Sequence, residues 1–141
     1  MKSKLSRRQS REQAFLLAFE RNINHETFKD LYEMAIESRD FEIDDFAMGL
    51  LENIENNENE INELIQANSK NRTLNRISKV ALSIMQLAIS ELKYADVSKT
   101  KAENPESVII NEAVIIAKKY STPEETSFIN GILGAVVRGQ A

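Results

Sequence analysis

The chain has 141 residues, of which 42% are apolar and 28% charged, and its formal net charge is -4. This length suits a single domain spanning residues 1–141, and the composition is that of a globular protein rather than a disordered one. With no cysteine, one histidine and no tryptophan, disulfide scaffolds are excluded, and Cys/His zinc sites and Cys- or His-based catalysis lack most of their residues. We therefore expect a protein that is not an enzyme and that needs no metal ion or cofactor.

Charge is distributed unevenly along the chain. Residues 1–11 carry five basic side chains and no acid, 12–63 carry 15 acids against three bases, and 64–141 carry ten bases against seven acids. A basic terminus joined to an acidic segment favours an anionic partner, because a run of like charge attracts counter-charge. The alternative is a solubilising terminus, and we expect residues 1–6 to form a flexible basic arm in either case.

Targeting and membrane signals are not found in the sequence. No window approaches the ~20 continuous apolar residues that a membrane-spanning helix needs. The N-terminus also lacks the apolar run and small-residue cleavage site of a secretory signal. We expect a cytoplasmic protein without a membrane partner.

The spacing of apolar residues predicts an all-α fold, and four Gly and two Pro leave little material for the turns of a β protein. Ser6 followed by Gln9 has the form of a capping box, so the first helix is expected from about Arg7 to Asn22. Asn24 is expected to cap the second helix. The third apolar stripe begins at Ile43 and resumes after an Asn-rich stretch, with its members at Phe46, Ala47, Leu50, Leu51, Ile54, Ile61, Leu64 and Ile65.

The second half of the chain is expected to begin with a polar connection over 68–75 and a short helical turn over 74–77. A helix over 78–94 follows that is apolar on almost every side, which is typical of a core centre or an interface. Asn104-Pro105 and Thr122-Pro123 each combine a cap with proline at the first helical position, and so predict two further helices. About seven helices result, with no convincing strand.

Two glycines lie inside the last predicted helix, at Gly131 and Gly134. Glycine is a poor helix former, so its presence there predicts the close approach of a neighbouring helix.

Catalytic motifs are scarce. The chain lacks the P-loop, HExxH, GxSxG and EF-hand patterns. Asp44 and Asp45 could supply paired carboxylates, but they also fit the first turn of a helix, where the dipole favours negative charge. His25 has no identifiable partner for proton transfer.

Nucleic-acid binding agrees better with the residues present. Residues 64–90 contain no acid and four bases, namely Lys70, Arg72, Arg76 and Lys79. Together with the basic arm they could neutralise phosphates on one side of the protein while the acidic third faces away. Bases of single-stranded RNA also need aromatic or Arg planes, although most aromatic residues lie on the apolar stripes.

Four short motifs follow one another along the chain: RRQSREQA from Arg7, LAISEL from Leu87, INEAVIIAK from Ile110 and FINGIL from Phe128. In this order they resemble the patterns RRxxRE, LAxxEL, INEAxxxAK and F(V/I)NG(V/I)L of the transcription antitermination factor NusB family. The resemblance covers essentially the whole chain.

The resemblance implies an all-α fold of two small packed helical bundles. It also implies binding of boxA-like single-stranded RNA of ribosomal RNA operons, together with the small-subunit ribosomal protein NusE, within an RNA polymerase antitermination complex. The family's RNA surface falls on Lys2, Lys4, Arg7, Arg8, Arg11, Arg72 and Phe128, and the basic patch adds Arg76. The partner-binding residues are Phe19, Ala81, Leu82 and Glu91. For Phe128 an ordinary core position is the alternative.

The chain departs from the family pattern at four positions. Where the family has an acid, a base and an Arg before LAxxEL, this chain has Ala81, Leu82 and Gln86, and Ser127 replaces a base before the last motif. The acid is associated with the NusE contact, and fewer bases weaken phosphate attraction. The apolar residues gained would widen the apolar surface of the central helix, so we expect self-association as a homodimer or a hydrophobic partner there.

A second function also accounts for the resemblance. NusB-like domains are attached to ribosomal RNA methyltransferases, and the chain would then be a protein-interaction module without RNA specificity of its own. RNA binding measured with and without the ribosomal protein separates the two.

Overall fold

The computed structural model describes residues 5–38, 43–70, 72–95 and 103–139. Over these ranges the chain forms seven α-helices and one 3-10 turn, with no β-strand, as the apolar spacing predicted. The 3-10 turn covers Leu74–Arg76. The helices are α1 (Arg7–Asn24), α2 (Phe28–Ser38), α3 (Asp45–Asn56), α4 (Glu58–Ala67), α5 (Lys79–Tyr94), α6 (Pro105–Tyr120) and α7 (Pro123–Val137).

Capping side chains determine where several helices begin. The hydroxyl of Ser6 accepts the backbone N–H of Gln9 at 3.1 Å, and the Gln9 side chain accepts the Ser6 N–H at 2.8 Å, so the predicted capping box is confirmed. Asn104 and Thr122 cap α6 and α7, each followed by proline in the first turn. These three boundaries are determined locally, which is why the sequence predicts them.

The second helix begins later than predicted. Asn24 is the last residue of α1, and His25 follows in the left-handed conformation with φ 60°, which ends the helix. The hydroxyl of Thr27 then accepts the N–H of Asp30 at 3.1 Å and caps α2. The expected cap at Asn24 is therefore wrong, because α1 continues to this residue before the chain turns.

The helices pack as two bundles that meet at α5. One bundle contains α1 to α4, and the other contains α6 and α7. Helix α5 packs on α1, α3 and α4 in the first bundle and on both helices of the second. Every residue from Ala81 to Glu91 is buried. The central helix is thus covered by the chain itself, and the exposed apolar surface expected for self-association is wrong: Ala81 is 0% exposed and Leu82 5%.

A polar network crosses this core at Gln86, which is 1% exposed. The Asn22 side-chain amide donates to Gln86 Oε1 at 2.9 Å and to Ser83 Oγ at 2.8 Å. Gln86 Nε2 in turn donates to Asn62 Oδ1 at 2.9 Å. The network therefore joins α1, α4 and α5 with neutral groups, and buried polar atoms need such partners to avoid a desolvation penalty.

The two glycines of α7 do not support a helix contact. A Cβ built on Gly131 would meet no atom within 4 Å, and one built on Gly134 would meet only the side chain of Arg138. The close approach predicted from these glycines is wrong, because α7 packs through its other face, where Ile129 and Leu133 are 0% exposed.

Candidate nucleic-acid interface

Two arginines are exposed where α1 begins, and Arg7 is the first of them. Its guanidinium lies 4.0 Å from the centroid of the Phe46 ring, at the start of α3. In the described part of the chain it has no carboxylate partner. A guanidinium over an aromatic face is held without losing its charge. Arg7 is therefore positioned and available for an anion.

Arg8 is exposed but paired. Its Nε and Nη2 donate to the two carboxylate oxygens of Glu112 on α6, at 3.1 and 3.0 Å, and its side chain remains 63% exposed. These hydrogen bonds raise the pKa of the Arg8 guanidinium. Glu12 lies one turn after Arg8 on α1, and its carboxylate accepts a hydrogen bond from Lys119 of α6 at 2.6 Å. This hydrogen bond lowers the pKa of Glu12. Both pairs join the start of α1 to α6, and Arg8 remains exposed to solvent beside Glu112.

Arg11 differs from its two neighbours because it is buried. Its Nε and Nη2 donate to the carboxylate of Glu91 on α5 at 2.9 and 2.7 Å, with the two side chains 9% and 4% exposed. Burial lowers the pKa of Arg11, but the hydrogen bonds and charge of Glu91 outweigh it, and the net pKa is raised. The predicted roles of Arg11 in RNA binding and of Glu91 in partner binding are corrected, since each side chain is occupied by the other.

The connection before α5 carries a second cationic group that lies against α7. The Arg72 guanidinium lies 4.1 Å from the centroid of the Phe128 ring, and its Nη1 is 3.4 Å from Glu125 Oε2. Glu125 and Phe128 are neighbours on one face of α7. Arg72 is 42% exposed and Phe128 is half-buried, so the pair presents a planar cation on an aromatic ring. Arg76 lies exposed in the 3-10 turn.

Within the described residues, the sequence-predicted RNA residues fall into four sets. Arg7 and Arg8 lie at the start of α1, Arg72 and Phe128 lie together beside the N-terminal half of α7, Arg76 is exposed in the 3-10 turn, and Arg11 is buried. Lys2 and Lys4 lie outside the described residues. Sequence spacing did not indicate the contact between Arg72 and Phe128, because a separation of 56 residues carries no periodic signal.

The residues predicted to bind a protein partner are mostly enclosed. Ala81 and Leu82 are buried under neighbouring helices, so their side chains cannot reach a partner and this prediction is corrected. Phe19 is half-buried and stacks on Phe15 at 6.1 Å between ring centroids. Ile23, one turn after Phe19 on the same face, is 50% exposed and was not predicted. The i, i+4 spacing from Phe19 is the signal that could have identified it.

None of the described helices combines the length and the apolar character needed to cross a membrane. No cluster of three His, Cys, Asp or Glu side chains in the described ranges could hold a metal ion.

Comparison with known proteins assigns the chain to a family. The sequence model of the NusB family matches residues 8–138. The chain belongs to the NusB family. It is 39% identical over 140 residues to the transcription antitermination protein NusB of Finegoldia magna, covering 95% of each chain. It is 36% identical over 147 residues to that of Clostridium botulinum strain Loch Maree, covering 94% of this chain and 100% of the relative.

Solved NusB structures have the same fold. The solved structure of T. maritima NusB superposes with a TM-score of 0.79 at 29% identity, covering 100% of this chain and 95% of that one. A structure of the antitermination factors NusB and NusE in complex with double-stranded RNA superposes with a TM-score of 0.77 at 23% identity, covering 94% and 96%. The fold class and the family resemblance expected from the four NusB motifs are both confirmed.

Proposed function

We propose that this chain is a transcription antitermination factor that binds boxA-like single-stranded RNA of ribosomal RNA operons together with a small-subunit ribosomal protein, NusE. The complex would act on elongating RNA polymerase. The observation that carries the proposal is the Arg72 guanidinium stacked on Phe128, the first residue of the FINGIL motif. Relatives named as antitermination proteins, and a NusB structure that contains NusE and RNA, support it.

The RNA would bind through two kinds of contact. Arg7 and Arg8 attract phosphates at the start of α1, and the residues before them, Lys2 and Lys4, extend this charge. Arg72 and Phe128 provide a flat surface on which an unpaired base stacks, as single-stranded RNA requires. In single-stranded RNA each phosphate contact adds about 0.7 to the slope of affinity against salt concentration.

The ribosomal protein would bind on the exposed side of α1, near Phe19 and Ile23. An exposed isoleucine beside a half-buried aromatic ring gives this face an apolar centre. Both residues belong to the segment 12–63, whose net charge is -12, from 15 acids against three bases. Complementary charge would steer a basic ribosomal protein to this side and leave the arginine-rich side for RNA.

Fluorescence anisotropy with a labelled boxA-like RNA tests the proposal, with a base-scrambled RNA of the same length as control. We expect preferential binding of the boxA-like RNA and tighter binding when NusE is added. Absence of binding, or equal binding of both RNAs with and without NusE, would contradict it. Binding of NusE with no RNA preference would instead support the protein-interaction module.

A further inference from the structure

A groove runs along α7 beside Phe128. It has a volume of about 620 Å³, and its second wall is formed by residues 67–70, where α4 ends. Ligand pockets commonly enclose about 300–1,000 Å³. The wall along α7 begins at the second turn and continues to the residue that follows the helix; it is formed by Ser127, Phe128, Gly131, Ile132, Ala135 and Arg138.

Gly131 keeps the middle of this groove open. It lies inside α7, where glycine destabilises a helix relative to alanine. No packing contact requires it, since an added Cβ would meet no atom within 4 Å. The structural effect of glycine at this position is to leave space in the groove, and this space is open to a molecule outside the chain.

The groove is cationic. Lys70 stands at one wall and Arg138 at the C-terminal end of α7; both are exposed, and neither has a carboxylate partner in the ranges that the structure describes. None of the lining residues is an acid. Beside the groove the Arg72 guanidinium covers the Phe128 ring at 4.1 Å. An aromatic ring, an open helix face and unpaired cations together match a nucleotide, which offers an aromatic base and flanking phosphates.

We propose that the groove receives one unstacked nucleotide of the bound single-stranded RNA. Its base lies over Gly131 against Phe128, and the flanking phosphates contact Lys70 and Arg138. This inference rests on the proposed RNA-binding function, and it adds to that surface an open groove for one base and two cations. The charge of the groove favours RNA over a protein segment, since an apolar helix would leave both cations unpaired.

Filling the groove with Gly131→Leu tests the proposal. We expect the affinity for labelled boxA-like RNA to fall by about tenfold or more, as for the loss of one stacked base. Gly49→Leu on α3 is the matched control, because a Cβ there also meets no atom within 4 Å and the residue lies outside the groove. It should leave RNA affinity unchanged, and circular dichroism should show both variants folded.

A second pair of variants does not depend on filling the groove. Arg138→Gln should reduce the salt dependence of RNA affinity by about 0.7 in slope, whereas Lys29→Gln on α2 should leave it unchanged. A fluorescent 2-aminopurine placed at each position of the RNA in turn reports the inserted base directly. One position should change its emission on binding to the wild-type protein and lose that change with Gly131→Leu.

The outcomes separate this proposal from the function on which it rests. If the wild-type chain binds RNA and both Gly131→Leu and Arg138→Gln bind it equally well, the groove proposal is overturned and the proposed function stands. If Gly131→Leu weakens only the binding of NusE, the groove is a protein site and the proposal is overturned. If the wild-type chain fails to bind RNA, both are overturned.

Discussion

Arg11 on α1 and Glu91 on α5 bind each other through two parallel hydrogen bonds of 2.9 and 2.7 Å in the interior of the protein. Their side chains are 9% and 4% exposed. Either charge would be costly to bury alone, and the attraction between the two largely offsets that cost. The pair therefore acts mainly to fix α1 in one register on α5, and with it the position of Arg7 and Arg8 at the start of α1.

Removing one charge of this pair should destabilise the protein strongly. Glu91→Gln leaves the Arg11 guanidinium buried without a counter-charge, and we expect a loss of about 3–5 kcal/mol in the free energy of unfolding. Urea denaturation measures it. Glu63→Gln, at an exposed position of α4, should change stability by about 0.5 kcal/mol or less. The double variant Arg11→Met with Glu91→Leu replaces both charges by apolar side chains and should recover most of the lost stability. If Glu91→Gln is as stable as the wild type, the pair does not have the role described above.

The helix boundaries could be predicted because their causes are local, whereas the roles of the arginines could not. Ser6 and Gln9 satisfy each other's backbone within one turn, so their spacing is sufficient evidence. Arg8 and Arg11 look alike in the sequence. Their exposure is decided by Glu112 and Glu91, which lie 104 and 80 residues further along the chain. Net charge thus identified a basic segment without showing which of its members face solvent.

Gly131 illustrates a second limit of sequence reasoning. Helix propensity shows that a glycine inside a helix needs a reason, and a neighbouring helix is the usual one. In the structure the missing side chain opens a groove instead. Helix propensity therefore marks Gly131 as unusual. Only the packing of α4 beside α7 shows that the space at Gly131 belongs to a groove and not to a contact between helices.

Charge reversal at the start of α1 should weaken RNA binding without unfolding the protein. Replacing Arg7 and Arg8 by Glu together removes two phosphate contacts, so the slope of log affinity against log salt should become shallower by about 1.4, from about 0.7 for each contact. Anisotropy at several salt concentrations measures the slope, and circular dichroism checks the helices. Lys29→Glu, in the acidic part of the chain, is the control that should leave the slope unchanged. Unaltered affinity of the double variant would exclude an RNA contact at these arginines.

Phe128→Leu should separate base stacking from core packing. Leucine keeps an apolar side chain at this half-buried position, so we expect a stability loss of about 1 kcal/mol. Binding of RNA should weaken by about 1–3 kcal/mol, as for one stacked base. Phe15→Leu is the comparison, because Phe15 is 1% exposed: it should lower stability while the folded protein keeps its RNA affinity. Equal RNA affinity of Phe128→Leu and the wild type would make Phe128 a core residue.

The hydrogen bonds of Gln86 to Asn22 and Asn62 should contribute to the stability of the folded protein. Gln86→Leu leaves the buried Asn22 amide with one of its two hydrogen bonds and deprives Asn62 of its donor. We expect a loss of about 1–3 kcal/mol in the free energy of unfolding. A double-mutant cycle with Asn22→Leu measures the coupling, and the double variant should lose less than the sum of the two single losses. Strict additivity would show that the two side chains act independently.

Tyr94 should titrate unusually late because its hydroxyl donates to Glu60 Oε2 at 2.7 Å. This hydrogen bond, with smaller effects of burial and of the Glu60 charge, raises the pKa of Tyr94 from 10.0 to about 12. The folded pKa lies above the unfolded one, so the contribution of the pair to stability is fully present below pH 10 and is lost as the pH rises toward 12.

Residue-specific NMR of the tyrosine Cζ carbons measures this pKa, since hydrogen bonding to Glu12 also raises the pKa of Tyr120 and an absorbance titration would combine the two. Glu60→Gln replaces the carboxylate by a neutral acceptor, so the pKa of Tyr94 should return toward 10.0 while that of Tyr120 stays raised. Glu63→Gln, on the same helix but without a bond to Tyr94, should leave both values unchanged. If Tyr94 still titrates near 12 in Glu60→Gln, the Glu60 carboxylate is not the cause of the shift.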